Sequence, residues 1–119
     1  MVSAKRPEAR LRHILEQIDG VAEVVAGLQF EDVANSFLFT RAIERAVQIV
    51  SEAAKELPVE LRDAYPDVGW RPIIRIGNLL RHEYYRIDPH DMWEIATHHL
   101  PRLRPAIEAM LADIKRRSP

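Results

Sequence analysis

Trp70-Arg-Pro-Ile-Ile-Arg-Ile-Gly-Asn-Leu-Leu-Arg-His-Glu-Tyr-Tyr-Arg-Ile-Asp88 carries both the apolar rhythm that decides the fold and most of the chain's reactive side chains. A helix turns by about 100° per residue, so a helix over 70–86 aligns Ile73, Gly77, Leu80 and Tyr84 on one side. That side is what a surface helix buries. The other side aligns Arg71, Arg75, Asn78, His82 and Arg86, with Leu79 beside them. Burial does not require three arginines, an amide and a histidine in register, and their alignment points to a site for an anion such as phosphate.

The flanks of this stretch bound it. Asp67-Val68-Gly69 reads as a turn, Pro72 falls in the first helical turn where its missing N–H is harmless, and Asp88-Pro89-His90-Asp91 reads as a turn and a new N-cap. Beyond it, a last helical segment over 90–117 spaces Met92, Trp93, Ile95, Ala96, Leu100, Leu103, Ile107, Met110, Leu111 and Ile114 as apolar contacts, with Pro101 and Pro105 expected to bend or divide it. Before it, a short helical piece follows Leu57-Pro58 and is closed by Pro66. A second helix over 36–56 presents Phe37, Ala42, Ile43, Ala46, Val47, Val50, Ala53 and Ala54 as its buried side, its small residues letting a neighbouring helix approach closely, behind possible caps at Asp32, Asn35 and Ser36. The first helix, over 8–27, starts on Pro7 and Glu8 and sets Leu11, Ile14, Leu15, Ile18, Val21, Val24, Val25 and Leu28 at three- and four-residue spacing to bury one side.

No segment alternates as a strand would, and four glycines are few for a fold built on hairpins. The expectation is an all-α protein: a compact antiparallel bundle of four longer helices and one short one, forming a single domain over 1–119 with its core at about 8–115 and a frayed tail from Lys115. A length of 119 residues closes one hydrophobic core and not two.

Composition removes whole classes of function. With no cysteine there is no disulfide, thiol catalysis, iron–sulfur cluster or thiolate-bound zinc. A formal charge of -1, from 17 Lys+Arg against 18 Asp+Glu, argues against a protein that coats nucleic acid through overall charge, so any such contact is local. Residues 71–86 supply that locality, since Arg71, Arg75, Arg81, Arg86 and His82 face one carboxylate, Glu83. There is no long apolar run, and Met1-Val-Ser-Ala-Lys-Arg-Pro7 lacks the apolar centre of a secretory signal, so a cytoplasmic location with no membrane contact is expected. Glu94 and His98, with Asp91 a turn earlier, lack a second ligand pair and read as a surface cluster rather than a metal site. Trp70 and Trp93 read as core or dimer anchors rather than base-stacking platforms.

Taken together, Ile49-Val-Ser-Glu-Ala-Ala-Lys55, Trp70-Arg-Pro-Ile-Ile74, Asn78-Leu-Leu-Arg-His-Glu-Tyr-Tyr85, Trp93-Glu-Ile95 and Leu100-Pro101 resemble the HepT-like branch of the HEPN superfamily over about residues 8–115. The signature of that family is an arginine, four to six residues, a histidine, one residue and a tyrosine. His82 and Tyr84 match it directly. The arginine that many relatives carry immediately before the asparagine falls on Gly77, whereas Arg75, with six residues between it and His82, satisfies the wider spacing and shares its stripe.

The resemblance implies a toxin of a type VII-like toxin–antitoxin pair: a metal-independent endoribonuclease, needing no cofactor, whose composite site forms where two protomers of a homodimer meet. It implies RNA as substrate, a minimal nucleotidyltransferase antitoxin as partner, and control by addition of AMP to Tyr84. His82 is then the general base or acid, Arg75 the phosphate clamp and Asn78 an orienting donor, with Arg71, Arg81 and Arg86 as supporting phosphate or RNA contacts. On a regular helix Tyr84 lies about 200° round from His82 and faces the core, so either the helix loosens there or the dimer brings Tyr84 to the cleft, with Tyr85 the fallback acceptor. Glu52 reads as a carboxylate pairing with an arginine of the motif helix. The alternative reading is a non-catalytic binding module that docks a nucleotidyltransferase or nucleotide.

Overall fold

The computed structural model describes residues 6–117. Helix α1 (Pro7–Val25) opens on the expected proline and carboxylate and buries Leu11, Ile14, Ile18 and Val21. It ends two residues short of the expected boundary because Gly27 takes φ 75°, a conformation glycine adopts without a Cβ clash. The polar junction holds a further short helix, α2 (Phe30–Ala34), whose start is fixed by the Gln29 N–H donating to Asp32 Oδ2 at 2.8 Å. Of the three candidate caps for the next helix, Ser36 does the work: its Oγ accepts from the Phe39 N–H at 3.0 Å, and α3 (Phe37–Glu56) follows.

Helix α4 (Val59–Asp63) is the expected short piece, and α5 (Trp70–His82) is the motif helix. The last segment starts at α6 (Pro89–Glu94), capped by Asp88 Oδ1 accepting from the His90 N–H at 2.8 Å. It then passes through a π turn (Ile95–His99) into α7 (Leu100–Arg117). The prolines therefore do not divide it. In the π turn the Leu100 N–H reaches back to the Ile95 carbonyl, and Thr97 Oγ1 donates to the Trp93 carbonyl at 2.8 Å. Both Pro101 and Pro105 are exposed, so the carbonyls left without an N–H partner can be met by water. Ser118 and Pro119 of the expected tail lie outside the described residues.

Among the described residues there is no strand, and the architecture is the expected all-α bundle, with two short helices rather than one. Helix α3 is its axis, packed by α1 on one side and α5 on the other, while α7 closes on α1. The core joins Leu11, Ile14 and Ile18 of α1 to Ile43, Val47 and Val50 of α3 and Leu103, Ile107 and Met110 of α7. Helix α5 contributes only Gly77 to the fully buried set. Its Ile73 and Ile76 instead line a cleft of about 910 Å³ against Val47, Val50, Leu100 and Leu103. Helix α5 therefore packs mainly along α3, and its polar side stays open.

One ion-pair cluster ties the ends of the core together. Arg104 on α7 reaches Asp19 on α1 through Nε at 2.9 Å and Nη2 at 3.1 Å, and Glu108 through Nη1 at 2.6 Å. The hydrogen bond from Arg104 holds the Asp19 carboxyl below its ordinary value of 3.8. A carboxylate depressed in the folded state contributes stability above its unfolded pKa and loses it as pH falls through the folded one. Asp19→Asn is accordingly expected to lower thermal stability slightly above pH 3.8, where the carboxylate contributes, and to converge on the wild-type protein as pH falls below it, which flattens the acid limb. An unchanged acid limb in thermal melts would contradict it.

No helix among the described residues is long and apolar enough to cross a membrane.

Candidate nucleic-acid-cleaving site

The motif helix is pinned at its start by Trp70, whose indole N–H donates to the Arg62 and Tyr65 carbonyls at 3.1 Å each. Trp70 and Trp93 both pack against the core, as their sequence reading expected. The fixing contact in the middle is with α3. Ser51 is 3% exposed, and its Oγ donates to the Ile74 carbonyl at 3.0 Å. Gly77 faces the same serine so closely that a Cβ built on it would stand 2.0 Å from Ser51 Oγ and 2.5 Å from Ser51 Cβ. An arginine at position 77 has no room at this helix spacing, so the position that often bears the motif arginine is here the closest approach of two helices.

Helix α5 ends at His82, four residues earlier than the periodicity predicted. The Glu83 N–H still reaches the Leu79 carbonyl at 2.7 Å, but Glu83 itself adopts φ -142°, ψ 44°, and Tyr84–Arg86 form a separate 3-10 turn. This break corrects the expected direction of Tyr84. Continued helix would drive the ring towards the packed side; the non-helical backbone at Glu83 rotates it out, and Tyr84 is 66% and Tyr85 73% exposed. Of the two routes left open by the sequence, the helix ends before Tyr84.

The four arginines of this stretch divide into two pairs. Arg81 donates to Glu52 Oε2 on α3 at 2.9 Å and to Asn78 Oδ1 at 2.7 Å, and Arg86 donates to Glu83 at 2.8 Å. The expected pairing of Glu52 is thus with Arg81. Arg71 and Arg75 are exposed and have no hydrogen-bond or ion-pair partner among the described residues, and the same holds for His82. They sit at positions i, i+4 and i+11 of one helix face, with Arg75 and His82 roughly 10 Å apart along the axis. Glu94 and His98 approach to 3.5 Å, and no group of three metal-ligating side chains converges among the described residues.

Asn78 gains a defined orientation from this network. A guanidinium only donates, so the amide atom facing Arg81 must be the oxygen, and the Asn78 NH2 is left to donate elsewhere on the stripe. Sequence reasoning placed Arg81 among phosphate contacts; its role as the clamp on Asn78 was signalled only by the three-residue spacing of the two and by Glu52 on the preceding long helix. Because the Glu52–Arg81 pair is partly solvated, Glu52→Ala is expected to cost no more than about 1 kcal/mol. It should nevertheless move the Asn78 side-chain amide signals in a nitrogen-edited NMR spectrum. Unmoved signals would show that the pair does not hold Asn78.

A helix presenting unpaired guanidinium groups, a free imidazole and an oriented amide to solvent is equipped to hold a phosphodiester and exchange protons with it. The family model described as "Ribonuclease HepT-like" matches residues 14–110, and the chain belongs to that family. "Putative RNase TTE0752" of Caldanaerobacter subterraneus subsp. tengcongensis is 34% identical over 93% of this chain and 99% of its own length. "Putative RNase MJ1216" of Methanocaldococcus jannaschii is 26% identical over 91% of this chain and 89% of its own length. "Probable ribonuclease HepT" of Thermococcus cleftensis is 28% identical over 84% of this chain and 91% of its own length. No solved structure matches the chain. Membership of a ribonuclease family implies RNA as the substrate.

Proposed function

We propose that this protein is the toxin of a toxin–antitoxin pair, an endoribonuclease that cuts RNA with its own side chains at a site built by two copies of the chain. The carrying observation is the open stripe: Arg71, Arg75 and His82 are exposed and unpartnered among the described residues, while the neighbouring Arg81 and Arg86 are neutralised by carboxylates. RNA brings its nucleophile with it. A base removes the proton from the 2′-OH, the oxygen attacks phosphorus to close a 2′,3′-cyclic phosphate, and the 5′ oxygen leaves with a proton from an acid. His82 serves as base or acid, Arg75 clamps the phosphate as negative charge builds on it, Asn78 donates to a phosphate oxygen, and Arg71 guides the strand.

One imidazole cannot begin as both base and acid. A two-fold dimer that brings the stripes together supplies a second His82 and a second Arg75 across the cleft. Control follows from Tyr84, whose exposed phenol accepts AMP from ATP with release of pyrophosphate when a nucleotidyltransferase partner presents it. Tyr85 is the second candidate acceptor.

Mixed dimers test the composite site. If both His82 side chains serve one cleft, a verified dimer of one wild-type and one His82→Ala protomer cleaves RNA as poorly as the His82→Ala homodimer, with EDTA present throughout. A mixed dimer that keeps about half the wild-type rate would contradict a site shared between the two imidazoles.

A further inference from the structure

We propose that Tyr84 and Tyr85 form a stacking site for one unpaired nucleobase of the bound RNA, beside the phosphate-facing stripe; this rests on the ribonuclease reading above. The chain has two Trp, three Tyr and three Phe, and the structure occupies nearly all of them. Trp70, Trp93, Phe39 and Tyr65 pack against the core, with the Tyr65 hydroxyl bonded to Asp113. Phe30 is stacked on His90 at 4.0 Å, and exposed Phe37 is covered by the Arg41 guanidinium at 4.9 Å. Among the described residues Tyr84 and Tyr85 have only each other as ring partners, with ring centroids 5.9 Å apart and planes at 83°.

That edge-to-face corner is preset rather than frayed. The Arg86 N–H donates to the Glu83 carbonyl at 2.9 Å and the Ile87 N–H to the Tyr84 carbonyl at 3.2 Å, Arg86 locks Glu83 at 2.8 Å, and Ile87 is anchored on the core. The same backbone break that ends α5 at His82 turns both rings outward, two and three residues from the imidazole. Exposed aromatic faces at the end of a helix that also carries free cations are the composition of a single-strand site: the rings stack a base of any sequence while Arg71 and Arg75, further along the helix, hold other phosphates of the strand. A duplex keeps its bases stacked inside and offers nothing to such a corner. Base stacking also separates the roles of Tyr84, because a phenylalanine there keeps the ring and lacks the oxygen that accepts AMP.

The test measures binding without cleavage, so that it fails or succeeds independently of the ribonuclease reading. The His82→Ala protein is titrated with a short single-stranded 2′-O-methyl RNA by fluorescence anisotropy. Adding Tyr84→Ala or Tyr85→Ala is expected to weaken binding by about 5- to 100-fold, the worth of one stacked base, and phenylalanine at either position is expected to restore it. An abasic residue in the oligonucleotide should reproduce the loss and add little to that of Tyr85→Ala. Unchanged binding by the alanine variants would overturn the proposal. So would a loss that accompanies dimer dissociation in sedimentation and is not rescued by phenylalanine. AMP binding that depends on Tyr85 while RNA binding does not would assign the site to a free nucleotide and overturn it equally.

Discussion

Purified protein carrying His82→Ala is expected to lose RNA cleavage by about 100- to 10,000-fold, the usual worth of a positioned acid or base, while folding as before. His82 is the last residue of α5, exposed, and without a partner among the described residues, so its removal breaks no packing contact. Substitution at such a position changes stability by no more than about 0.5 kcal/mol. Cleavage rates on a purified RNA and a thermal melt of the same sample check the two halves together. Equal rates for both proteins, with contaminating nucleases excluded, would remove His82 from the chemistry.

Gly77→Ala is expected to do the opposite, damaging the fold before it touches the site. The new methyl would enter space held by Ser51 Oγ and Cβ, and Ser51 cannot simply swing aside because it is buried and bonded to the Ile74 carbonyl. Overpacking of this kind costs about 1–3 kcal/mol, which for a domain of this size lowers Tm by roughly 5–15 °C. Removing the obstacle tests the cause: Ser51→Gly should relieve part of the penalty, so the double variant is less destabilised than the sum of the two single ones. A neutral Gly77→Ala, or strict additivity, would mean that α3 and α5 can separate at little cost. Gly77→Arg should be worse still. The result also bears on the motif, because it makes the glycine a packing requirement of this chain and leaves Arg75 as the guanidinium on the open side.

Much of this was legible in the sequence because it depends on periodicity. The apolar spacing of α1, α3 and the last segment located most of the buried residues, although Phe37, expected on the buried side at the start of α3, is 76% exposed, and Pro7, Ser36 and Asp88 located three helix starts. What periodicity could not carry was the end of α5. Nothing local in Arg81-His-Glu-Tyr-Tyr-Arg86 breaks a helix, and the turn at Glu83 is a tertiary outcome, set by the need to seat Ile87 and begin α6 at Pro89. The consequence for the site is large, since that turn decides whether two tyrosines are buried or presented. The prolines misled in the other direction: Pro101 and Pro105 suggested a division, but a π turn ahead of them keeps the segment helical.

Within the candidate site, the sequence aligned these residues on one stripe but could not sort its charges. Four arginines in residues 71–86 look alike until their partners are known. Only the fold brings Glu52 against Arg81, which converts one expected phosphate contact into a support for Asn78 and leaves Arg71 and Arg75 as the free cations. Likewise, Gly77 in the sequence is a missing arginine, whereas in the structure it is the contact that lets α5 lie against α3.

The chemistry of the cut ends tests the central claim most directly. Attack by the RNA's own 2′ oxygen, assisted by His82 and Arg75, leaves a 2′,3′-cyclic phosphate on one fragment and a 5′-hydroxyl on the other. Mass spectrometry of the fragments from an end-labelled RNA, digested by the wild-type protein in EDTA, is expected to find those two termini and to find them depleted with His82→Ala. Fragments ending in 3′-hydroxyl and 5′-phosphate, or cyclic ends formed equally well without His82, would contradict the account.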